Sequence, residues 1–408
     1  MGLSRQLRLT FVVTALAVAA FSTGLNFLFF LLYLVGVLLV GAWWYASRGL
    51  RGMRAGYHVL NARAQVGDLL QAVYRIDNDS GWSKPWVEVW NDSTLPAPLP
   101  GRAIGVVPRG SRQWLASVTL PRRGSFRLGP LRVRTGDPLG LFSSEMTVGQ
   151  PTWVVVFPQV HPLPYWQLPS APVDGSLPAR RRVEAMAPLV RSVRPYAHGD
   201  AINRIHWLSS LRHGELHVKE FDPEQAADLW ILLDLERGAH AGSGDGASVE
   251  AAVSVAASIA VATLARNRAV GLTVSARRLH TLTPDRGTRV EQKILHLLAN
   301  VQADGAASLA EVLSEVAPQL RRGMTLCLIT GSTQRDWVRA LASLPRRGVG
   351  SLVVQLDRAS YAGTADGETQ SEVGAMRHAL AEYGIPHHLL RAGDDISQAI
   401  GGRERIRA

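Results

Sequence analysis

Thirty-nine consecutive residues, Leu9 to Ser47, carry no Asp, Glu, Lys, Arg or His. As one helix this run would extend roughly 58 Å at about 1.5 Å per residue, nearly twice a hydrocarbon core of roughly 30 Å. One span is therefore too few, and Ser22-Thr23-Gly24-Leu25-Asn26 supplies turn formers at its middle. The run predicts a tight two-helix transmembrane hairpin within residues 1–54, its arms about Leu9 to Phe21 and about Phe27 to Ala46. Arg5 and Arg8 precede the first arm, and Arg48, Arg51 and Arg54 follow the second. The positive-inside rule then gives a two-pass protein of the inner (plasma) membrane with the bulk of the chain cytoplasmic. Trp43, Trp44 and Tyr45 stand where an interfacial aromatic belt belongs. A secretory signal peptide is the competing reading, from the basic residues, the apolar run and the small residues of AVAAFS. Cleavage near Ser22 would still leave the second run as an anchor on the same side. With no charged face, the run does not suit an interfacial amphipathic helix.

The remainder of the 408 residues exceeds what one core usually organises, so two soluble domains are expected. The charge balance of 44 Lys+Arg against 33 Asp+Glu is +11, but the arginines are scattered and no nucleic-acid module is recognisable, which argues against a nucleic-acid partner. Cys327 is the single cysteine. It excludes an intramolecular disulfide and a Cys-rich metal site, and its setting in TLCLIT reads as core strand.

Residues 55–164 alternate in short runs broken by Gly, Pro, Asn and Asp, such as LLQAVYRIDN, WVEVWND and TWVVVFP. They predict an antiparallel β-sandwich. Arg122, Arg123, Arg127, Arg132 and Arg134 form either a basic face toward lipid or a solvated strand edge. Residues 165–190, rich in Pro, Ala, Ser and Arg, read as a linker, and a segment dense in Arg, His, Trp and acids follows over 191–228. From Leu229 to Ala408, short apolar strands such as LWILLDLE and MTLCLITGS alternate with helical patterns. That is an α/β domain with a mostly parallel sheet, whose ligand sites would lie at strand ends near Asp234, Thr330 and Asp357.

The motifs VRPYAHGD (Val193 to Asp200), RIHW (Arg204 to Trp207), SSLR (Ser209 to Arg212) and GELHVKEF (Gly214 to Phe221) resemble the domain of unknown function 58 family of bacterial membrane-associated proteins. RRGSFRLGPLRVRTGDPLGLF and ILLDLE fit its layout. The resemblance implies a von Willebrand factor A-like (Rossmann-like) C-terminal domain and, as partner, a MoxR-type AAA+ ATPase in an envelope-related or chaperone-like process; no reaction comes with it. A metal-binding von Willebrand A domain ligates Mg²⁺ through Asp-x-Ser-x-Ser after its first strand, with a distal Thr and Asp. Here that loop reads Asp234-Leu235-Glu236-Arg237-Gly238, lacks both serines and sets Arg237 against a cation, so the first expectation is no cofactor, with Asp234 a strand-end hydrogen-bonding residue, and the lesser one is Mg²⁺ on Asp234 and Glu236.

Within the dense segment, Asp200 reads as a helix N-cap, and Ile202, Ile205 and Leu208 recur at helical spacing as a core face. The residues for partner binding or for the domain junction are Arg194, Tyr196, Asp200, Arg204, His206, Trp207, Arg212, Glu215, Lys219 and Glu220. Their interleaved charges would form ion pairs, with Trp207 and Tyr196 as packing anchors. A hydrolytic reading would take Ser209 or Ser210 as nucleophile, His206 as base and Asp200 as orienter, but no nucleophile elbow is present. His217 and His387-His388 lack metal-ligand spacing. The sequence thus points first to a non-enzymatic, membrane-anchored interaction protein. The alternative is a metal-dependent or hydrolytic enzyme centred on Asp200, His206 and Asp234.

Overall fold

Helices α1 (Gly2–Thr23) and α2 (Asn26–Arg48) take up the uncharged run and meet at Gly24, whose φ of 66° makes the turn, with Phe21 edge-on to Phe29. The computed structural model describes residues 2–168, 190–196, 205–221, 228–363 and 367–401. Among them α2 is the helix long and apolar enough to cross a membrane, and the apolar part of α1, Leu9–Thr23, is shorter than a full span. The chain divides into two units, Met1–Phe157 and Pro158–Ala408.

In the first unit, β1 (Met53–Val59), β3 (Leu69–Asn78) and β6 (Ser111–Thr119) form an antiparallel sheet in the order β1-β3-β6. A second sheet runs β2 (Arg63–Gln65), β9 (Thr152–Phe157), β7 (Gly124–Gly136), β4 (Lys84–Ser93), β5 (Arg102–Val106), with β8 (Ser143–Val148) also on β7. Alternation along the strands puts Leu70, Ala72, Tyr74 and Ile76 of one sheet and Val87, Val89, Leu131 and Val133 of the other into one shared core. Tyr57 ties the sheets together, its hydroxyl donating to the Leu128 carbonyl at 2.8 Å. That close approach needs Gly129, where φ is 94° and a Cβ would strike the Tyr57 hydroxyl. Arg132 does not stand as a free basic face. It bonds Asp92 (2.7 Å) and Glu145 (2.9 Å) across the sheet surface.

The second unit is built on a six-stranded sheet in the order β14-β13-β12-β15-β16-β17. Its strands are β12 (Leu229–Asp234), β13 (Val270–Ser275), β14 (Leu279–Asp285), β15 (Thr325–Thr330), β16 (Gly350–Leu356) and β17 (His387–Leu390). All neighbours are parallel except the edge strand β14. Every residue of β12, β13, β15 and β16 is buried, as both-face coverage requires. One face packs Trp230, Leu232, Leu326 and Leu328 under α6 (Leu309–Val316), α7 (Asp336–Ala342) and α9 (Gly367–Glu382). Against the central strands on the other face lies α4 (Ser248–Leu264), apolar nearly all round. Cys327 sits in the middle of β15, and burial pushes its thiol up to about 12.

Residues 158–166 run along α4 rather than closing the β region. His161 N donates to Ser258 Oγ (2.9 Å), Ser254 Oγ to the Gln159 carbonyl, and Trp166 Nε1 to Thr263 Oγ1 (3.1 Å). The boundary expected at residue 164 therefore falls at Phe157, because the polar positions of an otherwise apolar helix hold the following stretch. Of the expected linker, residues 169–189 lie outside the described residues.

Candidate functional site

Asp234 ends β12, the strand from which the order runs to β13 on one side and β15 on the other. In parallel sheets the crevice at such a reversal, at the carboxyl ends of the strands, is where ligands bind. Here hydrogen bonds close it. The Thr330 hydroxyl, at the end of β15, donates to Asp234 Oδ2 at 2.6 Å and accepts from Ser332 N at 2.9 Å. Asp234 Oδ1 accepts from Glu236 N at 3.0 Å, folding the loop back over the strand end. The buried His240 ring lies 2.7 Å through Nε2 from the Asp234 carbonyl and 3.0 Å through Nδ1 from Ser248 Oγ. A carbonyl only accepts, so Nε2 carries the proton and Nδ1 accepts from Ser248, whose oxygen takes Ala241 N in turn.

Backbone fills the remaining space. A Cβ on Gly331 would strike the Ala239 carbonyl oxygen, and one on Gly305 would lie 2.8 Å from the Ser275 oxygen and 2.9 Å from the Leu235 oxygen. Burial raises the Asp234 carboxyl above its ordinary value, partly offset by its bonds from Thr330 and Glu236. Glu236 is also raised, by burial and then by the charges of Asp234 and Glu311. His240 is lowered, chiefly by burial.

Both Asp234 oxygens accept protein hydrogens and the side chain is fully buried, so the carboxylate is engaged inside the protein. Among the described residues no group of three or more His, Cys, Asp or Glu is placed to hold a metal. Asp357, the third strand-end candidate, caps α8 (Arg358–Ala362) and pairs with Arg391 at 3.4 Å. His388 is buried and lowered by that burial, and His387 bonds the Ile385 carbonyl at 3.2 Å.

The dense segment forms a separate small assembly. Strands β10 (Val190–Pro195) and β11 (His217–Phe221) pair antiparallel, and α3 (Trp207–His213) precedes β11. The helix starts at Trp207, later than the expected start beside Asp200, because Ile205 makes a β-bridge with Val218 and His206 is the N-cap. His206 Nδ1 accepts from Ser209 N at 3.2 Å and lies 2.7 Å from Ser209 Oγ. Ser210 Oγ accepts from His217 N at 2.9 Å, locking α3 onto β11, and Gly214, φ 71°, ends the helix.

That lock turns the remaining face outward. Trp207 is 61%, Leu208 61%, Leu211 82% and Leu216 46% exposed. Trp207 is therefore no packing anchor and Leu208 no core residue, since the face toward β11 belongs to the small Ser210. Ile205 is buried and Tyr196 half-buried, with Tyr196 N donating to the Leu216 carbonyl at 2.7 Å. Arg212 and Glu215 are exposed. Arg194, Lys219 and Glu220 lie on the β10–β11 ladder, paired with Val218, Val193 and Ser192. Asp200, Ile202, Asn203 and Arg204 lie outside the described residues. His206 and Asp234, two members of the expected enzyme centre, have different partners: His206 bonds Ser209 of its own helix, whereas Asp234 takes Glu236 N and the Thr330 hydroxyl. The sequence reading missed Leu211 and Leu216 as surface; the small Ser210 between Leu208 and Leu211 was the available sign of which face turns in.

Residues 192–357, which contain α3 and the Asp234–Thr330 pair, match the family model described as "Protein of unknown function DUF58". Over 295 residues the chain is 26% identical to the "Uncharacterized protein YeaD" of Bacillus subtilis (strain 168), covering 71% of this chain and 69% of that protein. Among solved structures, the CARDB domain of the PF1109 protein from Pyrococcus furiosus is 13% identical, covers 26% of this chain and 91% of its own, and has a TM-score of 0.19. A FixG-related protein from Vibrio parahaemolyticus is 15% identical over 25% of this chain and 95% of its own, with a TM-score of 0.17. Likenesses at these scores carry no argument about the fold.

Proposed function

We propose that this chain, which belongs to the DUF58 family, is a membrane-anchored interaction protein whose C-terminal unit docks a MoxR-type AAA+ ATPase through helix α3. The observation that carries the reading is the exposed apolar face of Trp207, Leu208 and Leu211, with Leu216 beside it, on a helix held rigidly by its cap and by Ser210. Such a face, flanked by the exposed Arg212 and Glu215, has the composition of an interface centre, where a Trp and neighbouring apolar side chains carry most of the binding energy. The unit is a von Willebrand factor A-like domain in this reading. Its five parallel strands with an antiparallel edge support this, as does an Asp at the end of its first strand, and the strand end is sealed where a metal-binding relative would open it.

The anchor in this reading is a two-pass hairpin of α1 and α2 in the inner membrane, with the flanking Arg5, Arg8, Arg48, Arg51 and Arg54 in the cytoplasm. The turn at Gly24 and the Phe21–Phe29 contact support the pairing. The test is binding of a purified MoxR-type ATPase from the same organism to the full chain in lipid nanodiscs. Leu211→Asp should weaken it about tenfold or more, as loss of a central apolar contact costs about 1–2 kcal/mol or more. Unchanged affinity in Leu211→Asp would remove α3 as the docking face. No binding by the wild type would remove the ATPase as partner.

A further inference from the structure

Helix α2 ends inside the first unit, clasped by it. Lys84 Nζ donates to the Arg48 carbonyl at 3.1 Å and Ser144 Oγ to the Ala46 carbonyl at 2.7 Å, so two of the helix's terminal acceptors are satisfied by β-sheet side chains. Trp44, one turn before Arg48, meets Trp82 edge-on with ring centroids 6.2 Å apart, and the Arg48 guanidinium lies 4.8 Å from the Trp44 ring centroid. Residues 79–83, between β3 and β4, therefore reach the last turns of α2 through Trp82, and residues 137–142, between β7 and β8, are flanked by Thr135 and Ser144, which touch the end of the same helix.

These loops and the start of β4 expose four large apolar side chains beside the exposed Asp79 and Ser83. Trp82 is 69%, Trp86 41%, Leu139 57% and Leu141 36% exposed. Of their two acids, Asp79 is paired with Arg54, and Asp137 is buried and accepts from Leu139 N and Phe142 N, which fixes the loop that presents the two leucines. Arg48 and Arg51 are exposed beside them. Exposed Trp and Leu with Arg at the rim, level with the aromatic end of an apolar helix, is the composition of a bilayer interface rather than of water.

We propose that Trp82, Trp86, Leu139 and Leu141 lie in the headgroup region of the bilayer that α2 enters, so that the first unit rests on the membrane through these loops. This rests on reading α2 as a membrane span. The depth follows from the Trp44–Trp82 contact: the apolar run of α2 ends at its Trp-Trp-Tyr turn, which places Trp44 at the interface, and Trp82 is level with it. The opposite end of the unit provides a contrast. Leu60, just past the far end of β1, is 54% exposed and lies about seven strand residues, or roughly 23 Å, from the end nearest α2.

The experiment uses the full chain reconstituted in phosphatidylcholine–phosphatidylglycerol vesicles that carry a spin label near the headgroups. Leu139→Cys, Trp86→Cys and Leu60→Cys variants are labelled with an environment-sensitive fluorophore; Cys327, fully buried, stays unlabelled in a folded chain and reports that each variant has folded. Fluorophores at 139 and 86 should be quenched several-fold more than the one at 60 and should emit further to the blue. Equal quenching at all three positions, in protein that still floats with the vesicles, overturns the loop contact and leaves the α2 anchor standing. Loss of flotation overturns both.

Discussion

Replacing Thr330 by Val keeps the side-chain volume at the end of β15 and deletes one hydroxyl. That hydroxyl donates to Asp234 Oδ2 at 2.6 Å and accepts from Ser332 N at 2.9 Å, all three residues being buried. A hydrogen bond to a charged group contributes about 1.5–3 kcal/mol and a neutral one about 0.5–1.5 kcal/mol, and an orphaned buried partner adds its desolvation. Without Thr330 the Asp234 carboxyl, already raised by burial, loses one of the two bonds that hold it down and shifts further up, which limits the loss. The net expectation is about 2–3 kcal/mol of destabilisation of the second unit. Cys327, three residues earlier on the same strand and fully buried, makes this measurable without adding a probe. Labelling by a thiol reagent requires the sheet to open, so when reclosing is fast the rate follows the opening equilibrium. A loss of about 2–3 kcal/mol accelerates it roughly 30- to 150-fold. Thr330→Ser, which keeps the hydroxyl, should stay close to wild type. If Thr330→Val labels within about threefold of wild type, under about 0.7 kcal/mol, the Thr330–Asp234 bond does not hold the strand end closed.

Two further outcomes follow from the same region and one helix. His240 is lowered by burial and must be neutral to donate to the Asp234 carbonyl while accepting from Ser248, so its contribution is complete above the ordinary value of 6.5 and is lost as pH falls through that value toward the folded one. The raised Asp234 works in the opposite sense, losing its contribution as pH rises. The comparison that isolates His240 is therefore against His240→Gln: between about pH 7.5 and about pH 5.5 the wild type should lose more stability, read as the urea midpoint of the 158–408 unit in pulse proteolysis, and parallel slopes would contradict a neutral buried ring. Gly331→Ala drives a methyl into the Ala239 carbonyl and should destabilise by about 1–3 kcal/mol, whereas Gly374→Ala, in α9 with open space around it, should stabilise by about 0.5–1 kcal/mol; Cys327 labelling reads both, and equal effects would refute the packing at Gly331.

Much of the α/β unit is legible in the chain because fully buried parallel strands are written as unbroken apolar runs, and LWILLD, VGLTVS, TLCLIT and GSLVVQL carry no competing period. Edge strand β14 was not, since LHTLTPD is polar on its outer side and ends on a Pro and an Asp. Composition locates the dense segment but does not give its internal geometry. Helical spacing of Ile202, Ile205 and Leu208 is a local pattern, and the long-range pairing of Ile205 with Val218 overrides it. The closure at Asp234 depends on Thr330, ninety-six residues away, and on His240 and Ser248 across a loop. Such contacts exist only once the sheet order has been chosen, and no spacing in the chain announces them.

The splinting of α2 has a mechanical consequence. The last carbonyls of α2 are bonded to Lys84 and Ser144 and Gly49 is seated against Thr135, so the helix is joined to the β-sheet by side chains as well as by the chain. If α2 spans a bilayer, as proposed above, a tilt or rotation imposed on it reaches strands β4, β7 and β8 through these side chains as well as through the chain itself.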